Sequence, residues 1–341
     1  MRGPKENAVK AIIQDKYGLP LEVLTVQEIE MPVIKKDHEV LVRVHTAAVH
    51  AGDWLLMGGR PPILRLMFGL RKPRKKIPGF DLSGHVEEVG SKVTELRPGD
   101  EVFGTCKGSC AEYVVTSVKR LAPKPANLAL DHAAAIAVSG ITALRGMRDA
   151  AKVRPGQKVL ITGASGGVGT FAVQIAKSLG AEVTGVCSTA NVDLVRSIGA
   201  DHVIDYTRQD FTQGEERYDI ILDNAGKHSL AEMRQAVTPT GKVIPNSGTT
   251  GGKVFGPIGR VLRAAISAMF VRKQGPPFMA GEKRKDMLAL KDLIEAGTIT
   301  PVIDETYPLR DTAAAMAHIA AGHASGKTLI AVAGGSGQDQ E

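Results

Sequence analysis

The chain has 341 residues, 43% of them apolar, which is long enough for two hydrophobic cores and too apolar for a disordered protein. Its net charge is +7 and its three cysteines, Cys106, Cys110 and Cys187, are too few for a disulfide framework. With no apolar run approaching the roughly 18 residues of a membrane span and no leader-like opening, a cytoplasmic protein is expected.

In chain order, residues 1–126 carry short β-type runs, Ala8 to Gln14, Val40 to Val44, His85 to Val89 and Tyr113 to Val115, punctuated by Pro98-Gly99-Asp100 and Gly108-Ser109. Helical periodicity begins at Asp131. Residues 127–272 then alternate strand and helix: a strand from Lys158, a helix after Gly169, and strands at Ala181 to Cys187, His202 to Asp205, Asp219 to Leu222 and Gly241 to Ile244, with a helix at Ala190 to Ile198. Such alternation predicts an α/β, doubly wound parallel sheet that binds its ligand beyond the carboxyl ends of its strands. Residues 273–333 hold a helix, Glu282 to Ala296, and β-like runs at Pro301 to Pro308 and Lys327 to Val332. The chain is therefore expected to return to its first domain, with the α/β unit inserted. Residues 334–341 read as a disordered tail.

The centre of the inserted unit is Lys158-Val-Leu-Ile-Thr-Gly-Ala-Ser-Gly-Gly-Val-Gly169, a strand that stops at glycines and opens into a periodic helix. Val168, Phe171, Ala172, Ile175, Ala176 and Leu179 share one helical face, so the helix packs on a sheet while its N-terminus faces the glycines. Gly163, Ser165, Gly166, Gly167, Val168 and Gly169 form the expected pyrophosphate cradle. At the end of the second strand an NAD site places a carboxylate for the ribose hydroxyl, whereas this chain has Ser188, followed by Thr189 and Asn191. Those donors at a helix start favour NADPH over NADH. Against this, no Lys or Arg lies in the turn, and the reading in which Ser188 and Thr189 merely cap the next helix stays open.

Two basic stretches stand apart. Arg60 to Lys76 holds Arg60, Arg65, Arg71, Lys72, Arg74, Lys75 and Lys76 with no acid, interleaved with Ile63, Leu64, Leu66, Met67, Phe68 and Leu70; Val254 to Lys273 mixes Arg260, Arg263, Arg272 and Lys273 with apolar residues. This composition suits peripheral contact with an anionic membrane surface, although charge runs are more often solvated faces. A nucleotide-responsive RNA- or membrane-binding protein is the rival class, and no RNA-binding signature with stacking aromatics is present.

Together, Val40-Leu-Val-Arg-Val, Ala47-Ala-Val-His-Ala-Gly-Asp53, Pro78-Gly-Phe-Asp-Leu-Ser-Gly84, Arg97-Pro-Gly-Asp-Glu-Val-Phe-Gly104, Ala111-Glu-Tyr-Val, Ser139-Gly-Ile-Thr-Ala143, the glycine cradle, Gly199-Ala-Asp-His-Val-Ile-Asp-Tyr206 and Gly322-His-Ala-Ser-Gly-Lys327 resemble the medium-chain dehydrogenase/reductase superfamily, in its zinc-independent quinone oxidoreductase-like branch. The resemblance implies a Rossmann domain inserted in a β-rich GroES-like catalytic domain. It implies cofactor contacts from Thr142, Gly166, Gly167, Val168, Ser188, Asn191, Tyr206, Asn224 and Ser247, with Lys327 as a further anchor. His50 and Asp53 would stand beside the substrate, with His50 able to give a proton to a developing oxyanion. Zinc relatives place ligands where this chain has His50, Phe80 and Val138; only His50 could ligate, so no metal is expected. The implied activity is NADPH-dependent reduction of quinones or conjugated carbonyls, with an enoyl or 2-alkenal reductase as runner-up. Expected partners are a small-molecule quinone or enone and a second copy of the chain in a homodimer, with no specific nucleic acid.

Overall fold

The computed structural model describes residues 8–59, 62–246, 273, 283–322 and 324–333. Strands in chain order are β1 (Ala8–Gln14), β2 (Leu24–Glu30), β3 (Glu39–Val49), β4 (Asp81–Val89), β5 (Glu101–Thr105), β6 (Tyr113–Ser117), β7 (Leu121–Pro123), β8 (Lys158–Thr162), β9 (Glu182–Cys187), β10 (His202–Asp205), β11 (Tyr218–Asp223), β12 (Val237–Pro245), β13 (Ile303–Pro308) and β14 (Lys327–Ala331). The chain forms two compact units. One takes its described residues from Met1–Val138, Glu282–Gly297 and Pro301–Glu341, the other from Ser139–Gly281 and Thr298–Thr300. The first unit extends past residue 126 because residues 127–138 are tied to it: the backbone N–H of Val138 donates to the buried carboxylate of Asp81 at 2.8 Å, and Asn127 donates to the carbonyl of Ile294 at 2.8 Å.

The β-rich unit pairs β1 with β2 and builds a seven-stranded sheet in the order β13-β14-β3-β4-β5-β7, with β6 also on β3. β3 is its spine. Val40, Val42, Val44, Ala47, Ala48 and Val49 are all buried, because this strand is covered on both faces toward its end. β14 returns antiparallel to β3 with Thr328 opposite Val49, while β4 sets Asp81 opposite Ala48. The end of β3, the start of β14 and the start of β4 therefore meet, just before His50.

The second unit is the expected parallel sheet, in the order β10-β9-β8-β11-β12. Its register aligns Thr162 with Val186 and with Asp223, Asp205 with Cys187, and Asp223 with Pro245, so five strand ends share one edge. The helix Gly167–Ser178 buries Phe171, Ala172, Val173, Ile175 and Ala176 as its spacing requires. Ser247, the tail and nearly all of the second basic stretch lie outside the described residues. Among the described residues no helix is long and apolar enough to cross a membrane.

Candidate functional site

In the parallel-sheet unit, β8 runs into Gly163, whose φ of +61° suits glycine, and the chain enters the helix at Gly166. The glycines divide the work. A Cβ on Gly169 would strike the carbonyl oxygen of Gly163 and lie 2.7 Å from the Cα of Ala164, so Gly169 lets the helix pack against the turn. A Cβ on Gly166 would meet only that carbonyl oxygen, at 3.5 Å, and its φ of −80° is open to any residue. Among the described residues nothing demands glycine at 166, while the backbone N–H groups of Gly167, Val168 and Gly169 have no carbonyl a turn earlier to bond. The residues fit a bound pyrophosphate there.

Behind the cradle, the buried Asp223 carboxylate accepts from Thr162 Oγ1 at 2.8 Å and from the N–H of Gly226 at 2.9 Å, while Thr162 Oγ1 accepts from the N–H groups of Asn224 and Ala225. This lock fixes Asn224. Its Oδ1 accepts from Asn246 at 2.8 Å, but its Nδ2 is buried with no partner among the described residues, a donor suited to a ligand amide or hydroxyl.

At the end of β9 the hydrogen-bond roles are more restricted than residue types suggest. The Asn191 amide donates to Ser165 Oγ at 3.2 Å and Ser188 Oγ at 3.3 Å, bracing two serines. Thr189 and Thr207 each give their hydroxyl proton to Asp205, at 2.6 and 2.7 Å. Ser188 Oγ thus accepts from Asn191 and gives its own proton to no group among the described residues. Tyr206 follows β10 with its N–H on the carbonyl of Cys187 at 3.0 Å, and Lys227, which no motif spacing points to, sets its Nζ 3.8 Å from the Tyr206 ring centroid. Thr142, in the helix Ala137–Leu144, is buried. Burial pushes the Cys187 thiol up to about 11, so it is no nucleophile at neutral pH.

In the β-rich unit, His50 and Asp53 cap the helix Ala51–Gly58 reciprocally: His50 Nδ1 accepts from the N–H of Gly52 at 3.0 Å and Asp53 Oδ2 accepts from the N–H of His50 at 2.9 Å. With Nδ1 accepting, the neutral ring carries its proton on Nε2. That atom lies 3.4 Å from Asp53 Oδ2, is buried, and makes no hydrogen bond among the described residues. The imidazole stacks on Phe80, centroids 5.8 Å apart. Burial raises the Asp53 carboxyl above its ordinary range, with His50 opposing the shift.

The expectation that Lys327 anchors the cofactor meets a different geometry. Its Nζ sits 2.8 Å from Asp81 Oδ2, the side chains 1% and 0% exposed, so the ammonium is committed to an internal ion pair. Phe80 and Val138 offer no metal-binding atom in their side chains. Among the described residues no three His, Cys, Asp or Glu side chains gather as metal ligands.

Family models described as "Alcohol dehydrogenase GroES-like domain" and "Zinc-binding dehydrogenase" match residues 36–126 and 198–330. Human NAD(P)H oxidoreductase RTN4IP1, mitochondrial, is 34% identical over 96% of this chain and 90% of its own length. The chain belongs to the medium-chain dehydrogenase/reductase superfamily, in its quinone oxidoreductase-like branch. Tomato (Solanum lycopersicum) 2-methylene-furan-3-one reductase is 30% identical over 94% of this chain and 79% of its own. The quinone oxidoreductase structure from Coxiella burnetii superposes with a TM-score of 0.80 at 26% identity, covering 95% and 99% of the two chains. The protein is accordingly an NAD(P)H oxidoreductase, with a GroES-like first domain and a Rossmann second domain.

Proposed function

We propose that the enzyme is an NADPH-dependent, zinc-free reductase of quinones or conjugated carbonyls. The observation that carries this reading is the Nε2–H of His50: a buried donor with no partner among the described residues, held by a capped helix where metal-dependent relatives would need a ligand set. Phe80 and Val138 leave a metal only His50, so a carbonyl here would be activated by hydrogen bonding. NADPH, when bound, supplies the hydride. Gly167, Val168 and Gly169 would hold its pyrophosphate through backbone N–H groups, Ser188 the adenosine phosphate, and Asn224 Nδ2 a polar group of the reacting end. His50 would hydrogen-bond the substrate oxygen through Nε2–H and deliver a proton as charge develops there; the Gly52 N–H on Nδ1 holds the ring in that tautomer, and Asp53 anchors the His50 backbone. The buried Lys327–Asp81 pair and the Val138 N–H bond fix the strand ends beneath them.

The test is NADPH oxidation against a panel of quinones, enals and simple alcohols, with and without a chelator. Turnover of quinones or enones, unaffected by chelation, supports the reading. Turnover confined to alcohols and lost on chelation overturns it. A faster rate with enals than with quinones selects the enoyl or 2-alkenal reductase alternative.

A second reading, peripheral contact with anionic membrane, is favoured by Leu66 and Leu70, 64% and 66% exposed, beside exposed Arg71, Lys72 and Arg74. Cosedimentation with phosphatidylserine vesicles at low salt, lost on neutralising those three cations, tests it.

A further inference from the structure

The adenosine end of the cofactor site presents an electrostatic problem. A 2′-phosphate is a dianion that calls for a charge-assisted donor, yet the turn after β9 contains no cation and its neutral donors are largely spent. Thr189 gives its proton to Asp205, Asn191 its amide to two serines, and of the turn's side chains Ser188 keeps a hydroxyl proton with no acceptor among the described residues. Arg196 pairs with Asp193 at 3.7 Å, and Arg208 with Asp205 at 3.4 Å.

Lys227 answers the problem from another strand. It lies in the loop after β11, and both of its neighbours are fixed. Gly226, at a φ of +65°, donates to the buried Asp223, and the His228 ring meets Phe211 edge-on at 4.9 Å with Nε2 3.2 Å from Asp210. The side chain between them is exposed and reaches across to Tyr206, placing its ammonium 3.8 Å from the ring centroid. Tyr206 is 46% exposed and its backbone bonds Cys187, directly beside Ser188. A cation resting on an aromatic face is oriented without being neutralised, because the ring carries no net charge and accepts no ordinary hydrogen bond. Such an ammonium keeps donors for an anion arriving at Ser188. Asp205, the nearby acid, already receives Thr189, Thr207 and Arg208.

We propose that Lys227 reads the adenosine 2′-phosphate, moving from the Tyr206 face to the phosphate at Ser188 and so setting the preference for NADPH over NADH. The assignment rests on the NADPH reading above, and the experiment separates the two.

Affinities of 2′,5′-ADP and 5′-AMP, which differ only by the phosphate in question, would be measured by calorimetry for the parent, Lys227→Met and Lys227→Arg, with NADPH and NADH titrations alongside. The parent is expected to bind 2′,5′-ADP more tightly. Lys227→Met should weaken 2′,5′-ADP by roughly 10- to 100-fold and 5′-AMP by less than about twofold, as loss of one charge-assisted bond implies; Lys227→Arg should restore most of the difference. A parent that binds both fragments equally overturns the NADPH preference and this assignment with it. A parent that prefers 2′,5′-ADP while Lys227→Met keeps the same ratio overturns Lys227 alone. Equal weakening of both fragments also overturns it, since Lys227 would then act on the adenosine and not on the phosphate.

Discussion

The two glycines that open the helix Gly167–Ser178 should respond oppositely to substitution, although they stand three residues apart in one motif. At Gly166 the backbone is extended, a Cβ would sit 3.5 Å from the nearest oxygen, and a β-branched side chain would project into the space before the helix N-terminus. Gly166→Val should therefore change stability by less than about 1 kcal/mol, the unfolded-state entropy gain offsetting small local losses. It should weaken NADPH by roughly 2 to 4 kcal/mol, the worth of one or two charge-assisted bonds from the cradle N–H groups. At Gly169 a Cβ would collide with the Gly163 carbonyl oxygen and press within 2.8 Å of the Ala164 carbonyl carbon, both of them backbone atoms that cannot swing away. Gly169→Ala should cost more than about 2 kcal/mol of stability, in the range of overpacking at a rigid contact. Thermal melts without cofactor and fluorescence titrations with NADPH measure the two quantities independently. A Gly166→Val protein that binds NADPH like the parent, or that melts as early as Gly169→Ala, would refute the division of labour.

Ser188→Asp should weaken NADPH by roughly 1 to 3 kcal/mol and NADH less, read by paired titrations; an equal loss for both would show that no phosphate lies there. Elemental analysis of the purified enzyme should find no stoichiometric zinc, since Phe80 and Val138 supply no ligand. His50→Asn, which keeps a side-chain acceptor for the Gly52 N–H, should melt within about 0.5 kcal/mol of the parent, whereas His50→Ala should lose about 1 kcal/mol of capping, and both should lower kcat. Because burial raises the Asp53 carboxyl in the folded state above its ordinary value of 3.8, the folded chain holds that proton more tightly. Its contribution to stability then falls as pH rises from that value through the raised one, and Asp53→Asn should remove this slope from urea melts taken across acid pH. Thiol titration of the native protein should find Cys106, Cys110 and Cys187 unreactive, all three being buried, with Cys110 pushed well above its usual value.

The parts of the fold that could be read from the sequence are those where burial imposes a period. β8 to β11 and the cradle helix lie within two residues of their expected positions, because a buried parallel strand and a helix packed on a sheet must be apolar at fixed spacing. Elements lacking that constraint were not evident. β2 is almost wholly exposed or half-buried, and the helix Thr312–Ala321 is an alanine-rich run with little contrast between its faces. β12 begins four residues before the apolar Gly241 to Ile244 because Val237 pairs with Tyr218 across a register shift.

At the site, residue type and spacing identified the groups but not the direction of their hydrogen bonds. Thr189 and Asn191 look like phosphate donors until Asp205 and the two serines are seen to take their protons. Lys227 could not be found by reading the turn after β9, since it comes from a loop two strands away in the sheet order, beyond β8. His50 combines both lessons. The sequence offers His50 as a proton donor; the structure adds the helix cap, and one ring can do both because its nitrogens are distinct. The cap engages Nδ1, which forces the proton onto Nε2, the atom left for chemistry. The structural role thereby sets the tautomer that the proposed reduction requires.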